Sequence, residues 1–566
     1  MKKQKGAALI VVLSLLVVAL MVGLSSMQSS HIDERLAGNY RAQSLAQMGA
    51  EKAAAVGWGN FNNNDSWEKL SDLTSSDLAS LSWAELEGDD DLCESPVSCY
   101  YRYVEDGNGK YIVSIGRVGD DASLSESIFI KVDVGGPSPL FNSPIVGCEG
   151  VVMAGGSTIG SYDSREGPWD GTVGGFSATD APLVSTLNGG DSNIVLGDNE
   201  KIHGSISSYG GVSLDGSSTV HGNITANKLI SFPANSVVMG GVETLGDIGF
   251  SGSGRVESSL KSGGDIVFGN WSSYVGEAIY AGGEVVTNTS RNDPSEHLPV
   301  ENRGNYFPGN SGNPVGVAQQ SCDNATFGER NLVDERDNLK SVVTSIDNDP
   351  DIANNDLAIG PWPNENWELN SEGLRRFDKS WNINDWVSHG QTQAVENALG
   401  RDGEVSVMRV GDLSISQSGR LRVSGDVLLV VEGDFNISGG GQGLIIDPGS
   451  SLTVVVEGMT QFGSAARMDS VNSINSNGDP SFSLFSTYGE GGTGVEFNGG
   501  GRVVANVYAP FSGVSVNSGA DFYGSVRGKT VTVDGDGLIA YDEALQDSEY
   551  ASGGEGNGKG IIEYWR

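Results

Sequence analysis

From about residue 184 onward, apolar residues recur every eighteen positions, and that period restricts the fold more than any other feature of the chain. Ile202, Val220, Val238 and Val256 stand eighteen apart, as do Ile206, Ile224, Val242 and Leu260. Two more columns keep the spacing: Val212, Ile230, Ile248 and Ile266, then Leu214, Phe232, Phe250 and Phe268. A fifth coil follows after a one-residue slip at Val275, Ile279 and Val285, and Ile194 and Leu196 place a partial coil before the first. Helical repeats usually take more than about thirty residues, so eighteen implies a β-solenoid of short strands. Inward side chains of each coil then stack on the same column of the next, about 4.8 Å away. Gly204, Gly222, Gly240, Gly246 and Gly264 are the expected corners.

Residues 404–540 have the same character with looser spacing, and Val495, Val514 and Val531 mark coils of nineteen and seventeen. Between the two regions the chain is rich in Asn, Asp, Pro and Trp. Helix is expected there at Asn331–Ile346 and at Trp386–Leu399. Because both ends of this segment abut coils, it reads as an insertion folded back on the solenoid. Upstream, residues 57–92 read as loop with one short helix at Ser76–Leu86. Three strand-like runs follow, CYYRYVED, KYIVSIGRVG and SESIFIKVDV. Asp106-Gly107-Asn108-Gly109 supplies a hairpin turn between the first two.

The first residues fix a location. Lys2, Lys3 and Lys5 precede Gly6, and an apolar run extends from Ala7 to Leu24, interrupted by Ser14 and Gly23. Eighteen helical residues span roughly 27 Å, close to a bilayer core of about 30 Å. The lysines are expected to stay cytoplasmic and orient the rest of the chain outward. No proline occurs before Pro96, and helix formers continue past the apolar run, so Ala7–Val56 reads as one helix. A cleaved secretory signal peptide and a plain signal anchor are the rival readings. The first wants a small-x-small site soon after the apolar run, and Met21–His31 offers no convincing one.

The basic leader ending in glycine, the immediate apolar segment and the continuing helix resemble the N-terminus of a type IV pilin. Residues 5–54 resemble the PilX-type minor pilins in particular. Glu34, Arg35, Ala37, Gly38, Asn39, Arg41, Ala50 and Glu51 carry that motif. The resemblance implies cleavage by a prepilin peptidase between Gly6 and Ala7, passage through the inner membrane of a Gram-negative cell as a precursor, and packing of the apolar helix into a pilus. It also implies other minor pilins and the major pilin as partners, with a tip adhesin or surface ligand beyond them. Major pilins carry a glutamate at the fifth mature position, where this chain has Val11. A buried carboxylate is costly unless paired, so its absence fits an initiating or tip subunit. The stretch from Asn506 to Leu545 resembles the terminal segment of β-helical domains in bacterial pilus-associated and surface proteins, with no activity to carry over.

The expected fold is therefore mainly β: a long pilin-like helix with a small antiparallel sheet, then a β-helix with an inserted irregular segment. The expected divisions are a leader at 1–6, the helix at 7–56, a head at 57–135, coils at 136–290, the insertion at 291–403, coils again at 404–545, and a flexible tail at 546–566. Net charge is −39, so no basic stripe exists to neutralise phosphates and nucleic acid is not an expected partner. Four cysteines on the exported side favour two disulfides. Three pairings are open; proximity favours Cys93–Cys99, which leaves Cys148–Cys322.

Catalytic candidates are sparse. Long β-helices often belong to polysaccharide lyases and hydrolases, and Asp247 and Asp265 stack one coil apart, but Lys and Arg are nearly absent beside them. The expectation is a protein without enzymatic activity, with a surface-anchored carbohydrate-active enzyme as the alternative. A type II secretion pseudopilin and a polymer-forming solenoid similar to bactofilins are further alternatives. His203 and His221 also stack one coil apart but lack a third metal ligand. Asp347, Asp349, Asp351 and Asn355 place oxygens as a calcium loop does, yet Ile352 stands where such loops need glycine. Calcium is the one candidate cofactor, against a plain acidic loop. Trp362, Trp367, Trp381 and Trp386 form an aromatic group that either covers the insertion or grips a partner.

Overall fold

Alternating burial builds the coils from their sequence. In the computed structural model each eighteen-residue turn has three short strands, as in Lys201–Ile202, Ser205–Ser208 and Val212–Leu214, with inward residues buried and outward ones partly exposed. The structure describes residues 7–60, 68–69, 83–86, most of 92–133, 140–346 and 355–547 apart from short stretches of loop, and 561–565. Successive coils pair in parallel at the sequence spacing: Val220 faces Ile202 and Val238, and Ile248 faces Ile230 and Ile266. Phe232, Phe250 and Phe268 stack with ring centroids 4.5 and 5.0 Å apart, and His297 extends the ladder at 4.0 Å from Phe268. Each such aromatic pair contributes about 0.5–1.5 kcal/mol beyond area burial.

Polar columns hold the corners. Asn223 Oδ1 accepts from Gly241 N, Asp247 Oδ1 from Asp265 N, and Asp265 Oδ1 from Glu284 N, at 2.7–2.8 Å. Asp356, Asp412 and Asp434 repeat the pattern in the later coils, accepting from Asp412 N, Asp434 N and Met459 N. A side-chain oxygen thus satisfies a backbone donor that the corner leaves outside the ladder.

The two β-helical regions form one stack, but not in chain order. Ile145–Ala154 pairs on one side with Pro182–Thr186 and Ile194–Leu196, and on the other with Phe522–Asp534. Thr158–Tyr162 likewise lies between Lys201–Ile202 and Leu538–Asp542. The chain therefore enters mid-stack, winds out to Val285–Thr287, crosses to the far end, and winds back to close against its own first coil. One hydrophobic core runs through both regions, from Ile145 to Ile539.

The crossing segment differs from the expected insertion. Leu357–Ile359 and Asn366–Asn370 pair in parallel with Leu413–Ser416 and Arg420–Ser424, so the later coils begin about fifty residues before 404. Helix is present at Leu332–Val342. The helix expected at Trp386–Leu399 is instead the strands Trp386–Gly390 and Gln393–Glu396. Both complete ladders, with Gly373–Phe377 and Glu404–Val410, and ladder pairing outweighs local propensity there.

A single outward column explains where this segment lies. Across the stack Val430, Val455, Phe485 and Tyr508 follow one another, and beyond the seam come Val146, Ser185, Ser207 and Thr225. Where the column is apolar, a second buried cluster covers it, with Phe327, Leu332, Leu339 and Val343 from the segment around the 332–342 helix. Where the column is polar, the cover narrows to an extended strap at 313–321. Asn227 holds the strap at Val317, donating from Nδ2 to its carbonyl (2.8 Å) and accepting from its N–H (2.7 Å). Gln320 N donates to Leu187 O, and Cys322 is bonded to Cys148 beside the seam.

The chain divides into two compact units, Met1–Gly136 with Asn557–Arg566, and Pro137–Gly556. In the first, α1 (Ala7–Asn60) packs on a sheet of Val97–Asp106, Gly109–Val118 and Ser125–Asp133, all antiparallel. Asp106 pairs with Gly109, a two-residue hairpin loop. Ile561–Trp565, within the tail expected to be flexible, adds antiparallel to Ser125–Asp133. The edge of that strand offers unpaired backbone groups, which a returning chain end satisfies. Of the helix expected at Ser76–Leu86, Trp83–Leu86 is helical and the remainder lies outside the described residues.

Cys148–Cys322 closes a separation of 174 residues and Cys93–Cys99 one of six. Replacing Cys148 and Cys322 with serine is expected to cost about 2–5 kcal/mol, and the Cys93 and Cys99 pair less, because chain entropy grows with loop length. Denaturant titration of the two double variants measures the order; an inverted order would refute the loop-entropy account.

Candidate functional site

The surface with the clearest functional geometry is α1. Its second half is rich in Ala, Gln and Met, good helix formers, and Ala46, Ala50, Ala53 and Ala54 fall on one fully buried face. Small residues bring the helix backbone onto the sheet. A Cβ on Gly116 would lie 2.1 Å from Ala46 O, and one on Gly49 would lie 2.6 Å from Val97 Cγ1. Two hydroxyls fasten the contact: buried Ser114 donates to Ala50 O (2.9 Å) and Tyr103 to Gly57 O (2.7 Å). Burial raises the Tyr103 hydroxyl well above the usual tyrosine value, so it remains a donor across the physiological range. On the other face of the sheet, Trp83 and Leu86 of α2 (Trp83–Leu86) join a cluster with Tyr111, Val113 and Ile115, and Arg117 lies 4.0 Å over the Trp83 ring.

Toward the N-terminus the helix leaves this support. Every described side chain from Val12 to Arg41 is exposed, including Leu13, Leu15, Leu16, Leu36 and Tyr40 at 53–64%. The structure divides the sequence motif in two. Glu34, Arg35, Ala37, Gly38, Asn39 and Arg41 lie on the exposed part, and nothing stands within 4 Å of a Cβ on Gly38. Ala50 is buried against the sheet, while Glu51 is exposed and accepts from Gln47 Nε2 at 3.1 Å. Packing in this chain thus accounts for Ala50 and leaves Gly38 unexplained. Lys2, Lys3, Lys5 and Gly6 lie outside the described residues, and Ala7 is the first residue of α1. Among the described residues no helix is long and apolar enough to cross a membrane. The continuously described apolar side chains run from Val12 to Val22.

The chemical candidates on the solenoid resolve into structural roles. Asp247 and Asp265 accept backbone N–H groups of the next coil. The His203 and His221 rings stack 4.4 Å apart at 12°, with Phe176 5.3 Å from His203. Burial, then His221 and Lys201, hold His203 below the usual histidine value, which favours a neutral stacked ring. Among the described residues no group of three or more His, Cys, Asp or Glu stands together as a metal site. Asp347, Asp349 and Asp351 lie outside the described residues; Asn355 sits at φ 63° and its carbonyl accepts from Gly411 N. Of the tryptophans, Trp367 is buried with its ring 4.8 Å from His389, while Trp362, Trp381 and the Trp386 side chain lie outside the described residues.

Two polar residues escaped the sequence reading. Asn227 clamps the strap, and Arg527 sits 4% exposed at the seam, donating to Ser321 O at 3.2 Å. Their partners lie 90 and 206 positions away, so no local spacing could reveal them.

Residues 5–55 match the family described as PilX N-terminal, and residues 394–548 match a domain of unknown function, DUF7305. No curated protein matches. The crystal structure of the competence-associated pilin ComZ from Thermus thermophilus is similar over 85% of this chain and 86% of that one, at 9% identity and a TM-score of 0.22.

Gly116→Ala is expected to destabilise the first unit by about 1–3 kcal/mol, because α1 must move off the sheet; thermal unfolding measures it. A second expectation concerns pH. A histidine whose folded value is depressed contributes stability that is present above its unfolded value, near 6.5, and lost as pH falls through the folded value. The thermal midpoint of the wild type should therefore drop between pH 7 and pH 5 by more than that of His203→Phe. Equal slopes would remove His203 as a source of acid sensitivity.

Proposed function

We propose, from the match of residues 5–55 to the PilX N-terminal family, that the chain is a minor pilin of a type IV pilus that helps initiate or cap assembly and displays its solenoid outside the cell. The observation that carries this is the exposed apolar length of α1. An apolar helix without cover from its own chain needs another apolar medium, first lipid and then neighbouring pilin helices. The described run Val12–Val22, with Ala7–Val11 before it and Gly23–Leu24 after it, has the length for the first of these. In this reading the lysines hold the leader in the cytoplasm, a prepilin peptidase cuts after Gly6, and Glu34–Arg41 meets other minor pilins.

Val11 at the fifth mature position favours an end of the filament over its shaft. A structural role is favoured over catalysis because Asp247 and Asp265, the stacked pair of carboxylates, each accept a backbone N–H of the next coil. Antiparallel strands lie outside Asn366–Asn370 at one end of the stack, and such a cover disfavours end-to-end pairing there.

N-terminal sequencing of the protein recovered from sheared surface filaments tests the proposal. A start at Ala7 in the filament fraction is expected. An intact Met1, or a start beyond Leu24 with the protein absent from filaments, would overturn it.

A further inference from the structure

The second ladder of the seam ends on a buried carboxyl. Asp542 is the last residue of the strand Leu538–Asp542 and pairs with Tyr162, the last residue of Thr158–Tyr162. Its side chain is fully buried. Oδ1 accepts from Ser164 N at 3.1 Å and from Ala544 N at 3.2 Å. Oδ2 is buried with no hydrogen-bond partner, and Ser164 Oγ, beside the carboxyl, is buried and unpartnered as well. Among the described residues no lysine, arginine or histidine forms an ion pair with Asp542. One carboxyl oxygen thus ties together the two segments that leave the closing ladder, one following the first coil and one following the last.

The charged and titratable groups around it are engaged elsewhere. Asp163 adds like charge, and its own carboxylate is held by Arg165. Glu543 Oε1 accepts from Ser161 Oγ at 2.7 Å. The Tyr162 hydroxyl lies 3.0 Å from Ser473 Oγ, and burial, then the Asp542 charge, hold it well above the usual tyrosine value. Arg502 lies 4.4 Å over the Tyr523 ring. Burial pushes the Asp542 carboxyl above the usual aspartate value, against the N–H donors of Ser164 and Ala544, and Asp163 adds to the rise.

We propose that Asp542 is a proton-operated catch on the seam: protonated, it fastens the turn Asp163–Glu166 and the segment Glu543–Asp547 to the closing coils, and ionised, it releases both. A buried carboxylate is costly unless it is paired and hydrogen-bonded, and here one oxygen has neither kind of partner. The neutral acid has the same shape and keeps Oδ1 as acceptor for both N–H groups. Its new O–H donor reaches Ser164 Oγ by side-chain rotation, which satisfies the two orphaned oxygens together. Tyr162 and Asp542 stand at the same end of parallel strands, so release frays the ladder from that end. The sign follows from linkage. An acid whose folded value is raised contributes stability that is present below its unfolded value, near 3.9, and lost as pH rises through the folded value. The catch therefore holds in acid, opposite to the effect of His203.

Hydrogen exchange of the full-length protein in detergent, read by mass spectrometry from about pH 4 to pH 8 and corrected for intrinsic rates, tests the inference. In the wild type, protection of peptides covering 158–166 and 538–547 is expected to fall by about tenfold or more across that range. Asp542→Asn keeps the acceptor for both N–H groups and cannot ionise, so its protection should stay level. Asp163→Asn, at the edge of the cluster, serves if the first variant misfolds: with the like charge gone, the loss should shrink. Equal pH dependence in the wild type and both variants, or wild-type protection that rises with pH, would overturn the proposal. So would recovery of full protection at pH 8 on adding calcium chloride but not sodium chloride of equal ionic strength, which would make Asp542 a cation ligand. None of these readouts depends on filament incorporation, so their failure would leave the pilin reading standing.

Discussion

The backbone ladder between Phe522–Asp534 and Ile145–Ala154 is the contact on which the larger unit depends. Without it the solenoid would be two stacks, each with an open parallel edge in the middle of the molecule, and open edges invite pairing with other chains. With it, the hydrophobic core becomes continuous and the segments entering and leaving the unit belong to adjacent coils. The ladder joins residues almost four hundred positions apart, so closure of the stack carries the loop-closure entropy of a long-range contact. The strap and its disulfide sit at the same seam, where they limit that cost.

The same seam divides the outward surface. Apolar residues from Val430 to Tyr508 require a cover, and the segment around Leu332–Val342 provides one. Polar residues from Ser185 to Thr225 require none, and the crossing chain thins to a strap held at a few points. Arg527 at the seam belongs to the last coils in chain order but pairs with Val146 of the first, because the winding brings them together.

The first unit relies on a different principle. Helix and sheet meet through Gly49, Ala50 and Gly116, whose lack of bulk lets backbone approach backbone, and Ser114 and Tyr103 then bond to helix carbonyls. That contact frees the other end of α1 to remain apolar and exposed. One helix therefore has two kinds of surroundings, its own sheet at the C-terminal end and, for the described side chains from Val12 to Arg41, none from its own chain.

Local periodicity made much of this legible. The eighteen-residue columns gave coil, register and inward residues, because identical spacing in a stacked fold places like on like. The exposed apolar helix and its motif were equally plain, since helix propensity and an unbroken apolar run are local properties. The strands at Trp386–Gly390 and Ile561–Trp565 were not legible, as each owes its conformation to a ladder partner that overrides local preference, the neighbouring Gly373–Phe377 for the first and the far-off Ser125–Asp133 for the second. Nor could the sequence show that the second β-helical region precedes the first in the stack. Spacing within a region determines how neighbouring coils pair; which free edges meet is decided only when the folded chain buries them. The sequence alone thus determined the kinds of element and their inward faces. Tertiary structure decided their order along the stack, the seam, and the strap beside it, because those depend on contacts between residues far apart in the chain.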